Sequence, residues 1–217
     1  MDPMVTGPQV DHWRGQFGDE YTARNQIDPE RLRRRMRFWA GILERLGGAP
    51  PQSILEVGAN IGGNLAALKA VSDAELWALE PNNLARTQLV ANGIVPADRA
   101  LSAEAKAIPL PSGRVDLAFT VGVLIHIAPE DLLQTCSEIH RCASKYVLCS
   151  EYFADQPEEK AYRNHQGLLF KRDFGAFYLD NFPDLELIDC GFSWKRITGF
   201  DNLTWWLFRK VSRDTSR

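Results

Sequence analysis

The chain lacks any run near the roughly 18 consecutive apolar residues of a membrane-spanning helix, so a membrane protein is not expected. It has four cysteines, Cys136, Cys142, Cys149 and Cys190, and none forms a C-x-x-C pair. A zinc centre or disulfide framework is therefore not expected, and each cysteine reads as a small core residue. Neither sign of charge dominates: 25 Lys and Arg face 28 Asp and Glu, for a net charge of −3. That balance offers no electrostatic footprint for nucleic acid. The 12 prolines and 16 glycines follow no period, which excludes collagen and repeat arrays. Met1 to Asp11 holds no apolar stretch, so no signal peptide is expected, and a reducing cytoplasm is the default location.

What remains is ordinary globular material. A 217-residue chain with 45% hydrophobic and 24% charged residues can bury one core without staples. One domain is expected, with residues 1–50 as a helical cap, 51–217 as the core, and 151–184 as a loop and helix beside an acceptor site.

The pattern alternates strands and helices. Asp28 is a good N-cap and Pro29 a good first helical residue. Leu32, Met36, Trp39, Leu43 and Leu46 then recur at helical spacing until Gly47. The neighbouring Arg31, Arg33, Arg34, Arg35 and Arg37 read as a solvated face, with an anionic ligand as the alternative. Strands are predicted at 53–57, 76–79, 99–102, 115–121 and 146–150. Helices are predicted at 64–71, 84–91 and 129–141. Such alternation implies right-handed crossovers and a parallel sheet with helices on both faces. Residues 151–173 read as polar and irregular, then a helix at 174–182. Strands at 185–189 and 204–209 are placed to pair as an antiparallel hairpin. The fold class is α/β, Rossmann-like, with a seven-stranded, mostly parallel sheet and an antiparallel last strand. Trp205 and Trp206 must point to opposite faces of their strand; one is expected in the core, the other at a surface or interface.

The first strand ends in Glu56 and runs into Gly58-Ala59-Asn60-Ile61-Gly62-Gly63. Glycine lets backbone approach a ligand, and the following helix offers free N–H groups. Glu80, with Pro81 and Asn82, closes the second strand, where an acid can bind ribose hydroxyls. A dinucleotide fingerprint would place glycine where Asn60 stands, and Glu56 would repel a pyrophosphate. S-adenosylmethionine carries no phosphate, and its zwitterionic end suits a carboxylate.

These segments resemble the class I S-adenosylmethionine-dependent methyltransferases. Glu56-x-Gly58-x-Asn60-x-Gly62 is similar to their motif I, with Asn for the usual middle Gly, and Glu80 to their motif II acid. The resemblance implies an adenine contact at Ala103-Glu104, with Glu in place of the commoner Asp. It aligns Val121-Gly122 with the loop after the fourth strand. A narrower resemblance runs nearly end to end. Phe17 to Asn25, Glu151 to Phe153, Tyr162 to His165, Leu169 to Phe174 and Thr204 to Trp206 look like the methylases associated with pseudaminic acid biosynthesis. It implies an acidic sugar as context, and a lid in which Tyr21, Arg24 and Asn25 meet the cofactor.

Methyl transfer needs a base only if the acceptor must lose a proton. His126, at the ligand-bearing edge of the sheet, and His165, in the polar segment, are the candidate catalytic groups. Tyr152, Tyr162, Arg163, Lys171 and Arg172 are the candidate acceptor contacts, the cations suiting an anionic group. No metal is expected. The expected function is methylation of a small molecule with S-adenosylmethionine, yielding S-adenosylhomocysteine, with O-methylation of an acidic sugar or a related carboxylate or hydroxyl metabolite first. N- or carboxyl-methylation of an amine or peptide is the alternative. An NAD-dependent oxidoreductase or a non-catalytic cofactor binder stands behind it. The assembly expected is a monomer or homodimer.

Overall fold

The computed structural model describes residues 8–163, 165–198 and 200–211. Two short helices, α1 (Pro8–Arg14) and α2 (Gln16–Arg24), precede the long α3 (Pro29–Arg45). Asp28 caps α3 by accepting the N–H groups of Glu30 and Arg31. Past its end, Gly47 turns the chain with φ +59°, a left-handed conformation that costs glycine little.

The core then runs β1 (Ser53–Val57), α4 (Gly63–Val71), β2 (Glu75–Leu79), α5 (Asn83–Ala91), β3 (Ala100–Leu101) and β4 (Val115–Val121). It continues through α6 (Pro129–Cys142), β5 (Ala143–Glu151), β6 (Glu158–Tyr162), β7 (His165–Lys171) and α7 (Phe174–Asn181). It ends on β8 (Leu185–Ser193) and β9 (Leu203–Lys210). Seven strands make one sheet in the order β3-β2-β1-β4-β5-β9-β8. The first five run parallel, and β9 is antiparallel to both β5 and β8. Seven strands with an antiparallel last one are what the sequence pattern predicts.

The sheet is buried on both faces. Leu55, Val57, Leu132, Ile139, Phe174 and Tyr178 pack on one face, drawing in α6 and α7. Ile54, Leu65, Leu68, Leu89, Trp39 and Ile42 pack on the other, drawing in α3, α4 and α5. Trp205 and Trp206 take opposite faces as the pleat requires, yet both are buried, one in each core. The expected surface tryptophan is therefore a second core residue, because the sheet is covered on both sides. Cys136, Cys142 and Cys149 are core residues, whereas Cys190 is exposed on the edge strand β8.

Two segments differ from the sequence expectation. Residues 158–171, read as irregular, form the hairpin β6–β7, separate from the main sheet. The polar start holds two helices. Among the described residues no helix is long and apolar enough to cross a membrane.

Candidate functional site

The parallel register aligns the C-terminal ends of β2, β1, β4 and β5 along one edge, and a cavity of about 310 Å³ opens there. Its floor is the turn after β1. Gly58 lies at φ +76° and Asn60 at φ +49°, both left-handed. Asparagine is among the few non-glycine residues that adopt this region readily. The Asn60 side chain also accepts the next N–H, from Ile61, at 2.7 Å. That explains how asparagine holds a position where the related motif has glycine. The φ of Gly58 strains any side chain placed there, and a Cβ would lie 2.6 Å from Val123. The glycine thus also serves packing against the loop after β4. Gly62 (φ +79°) faces Ile94 and Leu89 rather than the cavity, and starts α4.

Two buried carboxylates flank this turn. Glu80 accepts the N–H of Asn60 at 2.7 Å and that of Asn82 at 2.8 Å, one on each oxygen. Burial raises its pKa, and these N–H groups pull it back. Glu56 accepts from Asn64 Nδ2 at 2.7 Å through Oε1, while its buried Oε2 has no hydrogen-bond partner. Burial pushes the Glu56 carboxyl up to about 8, against the pull of Asn64 and the nearby Arg35 charge. Asn64 is oriented from behind. Its Oδ1 accepts from Arg35 Nε at 3.2 Å and Trp39 Nε1 at 3.4 Å, so its amide N–H groups face Glu56.

Arg35 corrects the reading of the α3 arginines as a solvated face. It lies one turn before Trp39 and two before Ile42, on the stripe that enters the core, and it lines the cavity together with Arg31. Its guanidinium sits 5.1 Å over the Phe200 ring. Gln26, Ile27, Asn64 and Trp13 also reach the wall without having been singled out as site residues.

The roof is α1–α2. Asn82 Nδ2 donates to the Trp13 carbonyl at 3.1 Å and to Asp19 Oδ1 at 2.8 Å. Gly18 permits this contact, since a Cβ there would lie 1.8 Å from the Trp13 oxygen. Arg14 adds an ion pair to Glu104 at 3.5 Å. The Trp13 ring lies 4.9 Å from the His126 ring, which lies 5.0 Å from Tyr162.

Of the sequence-predicted cofactor residues, Tyr21, Asn25, Glu56, Gly58, Asn60, Glu80, Pro81, Asn82, Glu104, Val121 and Gly122 line this cavity. Arg24 instead pairs with Glu20 at 3.9 Å, and Ala103 packs against the core beneath. His126 is on the wall. Its Nδ1 meets the Leu168 carbonyl at 2.5 Å. A carbonyl only accepts, so Nδ1 carries the proton and Nε2 is the acceptor nitrogen. Burial lowers the His126 pKa to about 4, so the ring is neutral at physiological pH.

The five predicted acceptor contacts stand back from the wall. Tyr162 backs His126, and the Tyr152 hydroxyl donates to Asp201 Oδ2 at 3.1 Å. Arg163 is exposed in the β6–β7 turn, its guanidinium 5.5 Å over Tyr162. Lys171 lies 5.6 Å over Tyr152, and Arg172 lies 5.4 Å over Phe177. Lys171 also pairs with Glu158 at 4.0 Å. The His165 backbone pairs with Tyr162, and its side chain lies outside the described residues. Among the described residues, no group of three His, Cys, Asp or Glu could hold a metal.

Residues 55–148 match the methyltransferase domain family. No curated protein sequence matches the chain. Solved structures do. One is the 1,6-didemethyltoxoflavin-N1-methyltransferase of Burkholderia thailandensis, with bound 1,6-didemethyltoxoflavin and S-adenosylhomocysteine. It is 16% identical over 98% of this chain and 94% of that one, with a TM-score of 0.70. A Leishmania major S-adenosylmethionine-dependent methyltransferase is 16% identical over 94% and 87% of the two chains, with a TM-score of 0.70. The magnesium protoporphyrin IX methyltransferase of Synechocystis PCC 6803, with bound S-adenosylmethionine, is 12% identical over 96% and 100%, with a TM-score of 0.65. The methyltransferase match over residues 55–148, the fold and the cavity agree on S-adenosylmethionine-dependent methyl transfer.

Proposed function

We propose that the protein methylates a small, acidic acceptor, with an oxygen as the receiving atom. The observation that carries the cofactor assignment is the buried, unpartnered Oε2 of Glu56 on the cavity wall. An ammonium group there supplies the missing donor and the charge that lets the carboxyl ionise. Arg35 suits the cofactor's carboxylate. Each Glu80 oxygen keeps a second lone pair for a ribose hydroxyl after taking its N–H. Glu104 suits an adenine amino group. Bound in this way, S-adenosylmethionine supplies an electrophilic methyl carbon, and the chain supplies position and exclusion of water.

Three features support the acceptor reading. The cavity lies at the low end of the usual small-molecule range, under a roof of α1 and α2. His126 presents a neutral but weakly basic Nε2, which suits an acceptor that ionises without much help. Arg31 lines the cavity near Arg35 and suits an anionic group. An acidic sugar, as in the pseudaminic acid pathway that the sequence resemblance suggests, has this chemistry. Under this reading residues 1–50 act as the lid, and the β6–β7 hairpin supports His126 from behind. A second reading, N-methylation of an amine, draws on the Glu130 and Asp131 carboxylates on the wall.

Incubation with S-adenosylmethionine and panels of acidic sugars, aromatic carboxylates and amines tests the choice. Formation of S-adenosylhomocysteine and a methylated product with acids is expected. Turnover with amines alone would overturn the acceptor assignment.

A further inference from the structure

Glu151 is fully buried at the end of β5 and belongs to none of the roles above. Its Oε1 accepts the N–H of Val123 at 3.2 Å, and its Oε2 accepts that of Ile125 at 3.4 Å. These donors belong to the loop between β4 and α6. Gly122, Val123 and His126 of that loop line the cavity. Val123 also packs against Gly58, so the loop fixes the cavity floor as well as its wall.

We infer that Glu151 is a positioning residue, whose carboxylate holds the loop at 122–127 in the shape that binds the cofactor and presents His126. The inference rests on the reading that this cavity holds S-adenosylmethionine.

The alternative is a carboxylate that merely fills space in the core, and the surroundings argue against it. Among the described residues no ion pair reaches Glu151; Arg172 acts on the neighbouring Cys136 but makes no ion pair with the carboxylate. The ionisable groups facing it are Cys136 of α6, Cys149 of its own strand and Tyr178 of α7, all pushed by burial toward their neutral forms. A buried charge without a cation is costly unless hydrogen bonds meet it. The N–H groups of Val123 and Ile125 do so, and they hold back a pKa that burial raises to about 7. A carboxylate offers both oxygens as acceptors, whereas a carboxylic acid turns one of them into a donor facing an N–H. The clamp is therefore intact above this range and weakens below it.

The test uses the full chain and S-adenosylhomocysteine as the probe. Calorimetry on wild type and Glu151→Gln between pH 6 and 8.5 is combined with amide exchange of residues 122–127. At pH 8.5 the Gln variant should bind about tenfold more weakly, as expected for losing a charged hydrogen-bond acceptor. Wild-type affinity should fall as pH drops through about 7, and this component should be absent from the variant. Subtraction removes the contributions of Glu56 and Glu80, which both proteins share. The Val123 and Ile125 amides should lose protection in the variant, while β4 amides keep theirs. Should the variant fail to fold, the wild-type exchange stands alone: Val123 and Ile125 should lose protection below pH 7 and β4 should not. Equal affinities with parallel pH profiles would overturn the proposal, as would pH-independent protection of those two amides in wild type. Wild type that binds no S-adenosylhomocysteine would instead overturn the function on which the proposal rests.

Discussion

The main-chain N–H of Asn60 donates to Glu80 Oε2 at 2.7 Å, tying the turn after β1 to the end of β2. The other Glu80 oxygen takes the N–H of Asn82 at 2.8 Å, and Asn82 in turn grips Trp13 and Asp19 of the roof. One carboxylate therefore shapes the floor of the cavity and steadies the residue to which the roof is attached.

Replacement of Glu80 should be felt twice. Glu80→Ala removes the proposed ribose acceptor, a loss of about 1.5–3 kcal/mol in S-adenosylmethionine affinity. It also leaves the Asn60 and Asn82 N–H groups without their acceptor, lowering stability by about 1–3 kcal/mol. Glu80→Gln, which keeps the shape, should fall between. Calorimetry and urea denaturation read the two effects separately, and unchanged affinity in the alanine variant would remove Glu80 from the cofactor site.

Gly58→Ala should damage the site through the protein itself. The residue needs φ +76°, and the new Cβ would meet Val123 2.6 Å away. Strain of about 1–3 kcal/mol is expected from such a backbone position. Cofactor affinity should fall, and Gly58→Ala combined with Val123→Ala should recover part of it. A double variant no better than the single one would show that the Val123 contact is unimportant.

Arg35→Ala should weaken S-adenosylmethionine binding far more than Arg24→Ala. Arg35 lines the cavity, whereas Arg24 pairs with Glu20 on the roof surface. Loss of a charged hydrogen bond of about 1.5–3 kcal/mol is expected for Arg35, and little for Arg24. Arg35→Lys should recover only part, because an ammonium cannot hold a carboxylate bidentately. Equal effects at the two positions would shift the carboxylate contact back to α2.

Cofactor-free protein should lose stability as pH rises toward 8. The folded Glu56 carboxyl titrates at about 8, above its ordinary value of 4.5, so the folded state holds the proton more tightly than the unfolded chain. Glu151, raised to about 7, acts in the same direction. His126, lowered from 6.5 to about 4, opposes them below pH 6.5. The window from 6.5 to 8 therefore reports mainly the carboxyls. Glu56→Gln should flatten the fall in Tm across that window and abolish cofactor binding. An unchanged slope would mean that Glu56 is not the buried acid responsible.

The legible parts of the molecule were those in which local chemistry and tertiary packing agree. The Asp28-Pro29 start, the buried run at 53–57 and the turn at 58–63 each carry their own signal, and each forms as predicted. The β6–β7 hairpin was hidden because Glu158 to Tyr162 is a mostly exposed strand and shows no alternating apolar face. The α1–α2 pair was hidden because its helices are short and are held by Asn82, distant in sequence. Arg35 was missed among five arginines, although its spacing to Trp39 and Ile42 placed it on the buried stripe. The basic residues at 163–172 were legible as a cluster by chain proximity, while their places over Tyr162, Tyr152 and Phe177 depend on tertiary packing.

Titration of the purified protein with S-adenosylmethionine at neutral pH, with NAD as the parallel ligand, addresses the central claim most directly. The account predicts saturable binding of S-adenosylmethionine at one site per chain, lost in Glu56→Gln and Arg35→Ala, and no binding of NAD. Absence of S-adenosylmethionine binding, or binding that survives both substitutions, would contradict it.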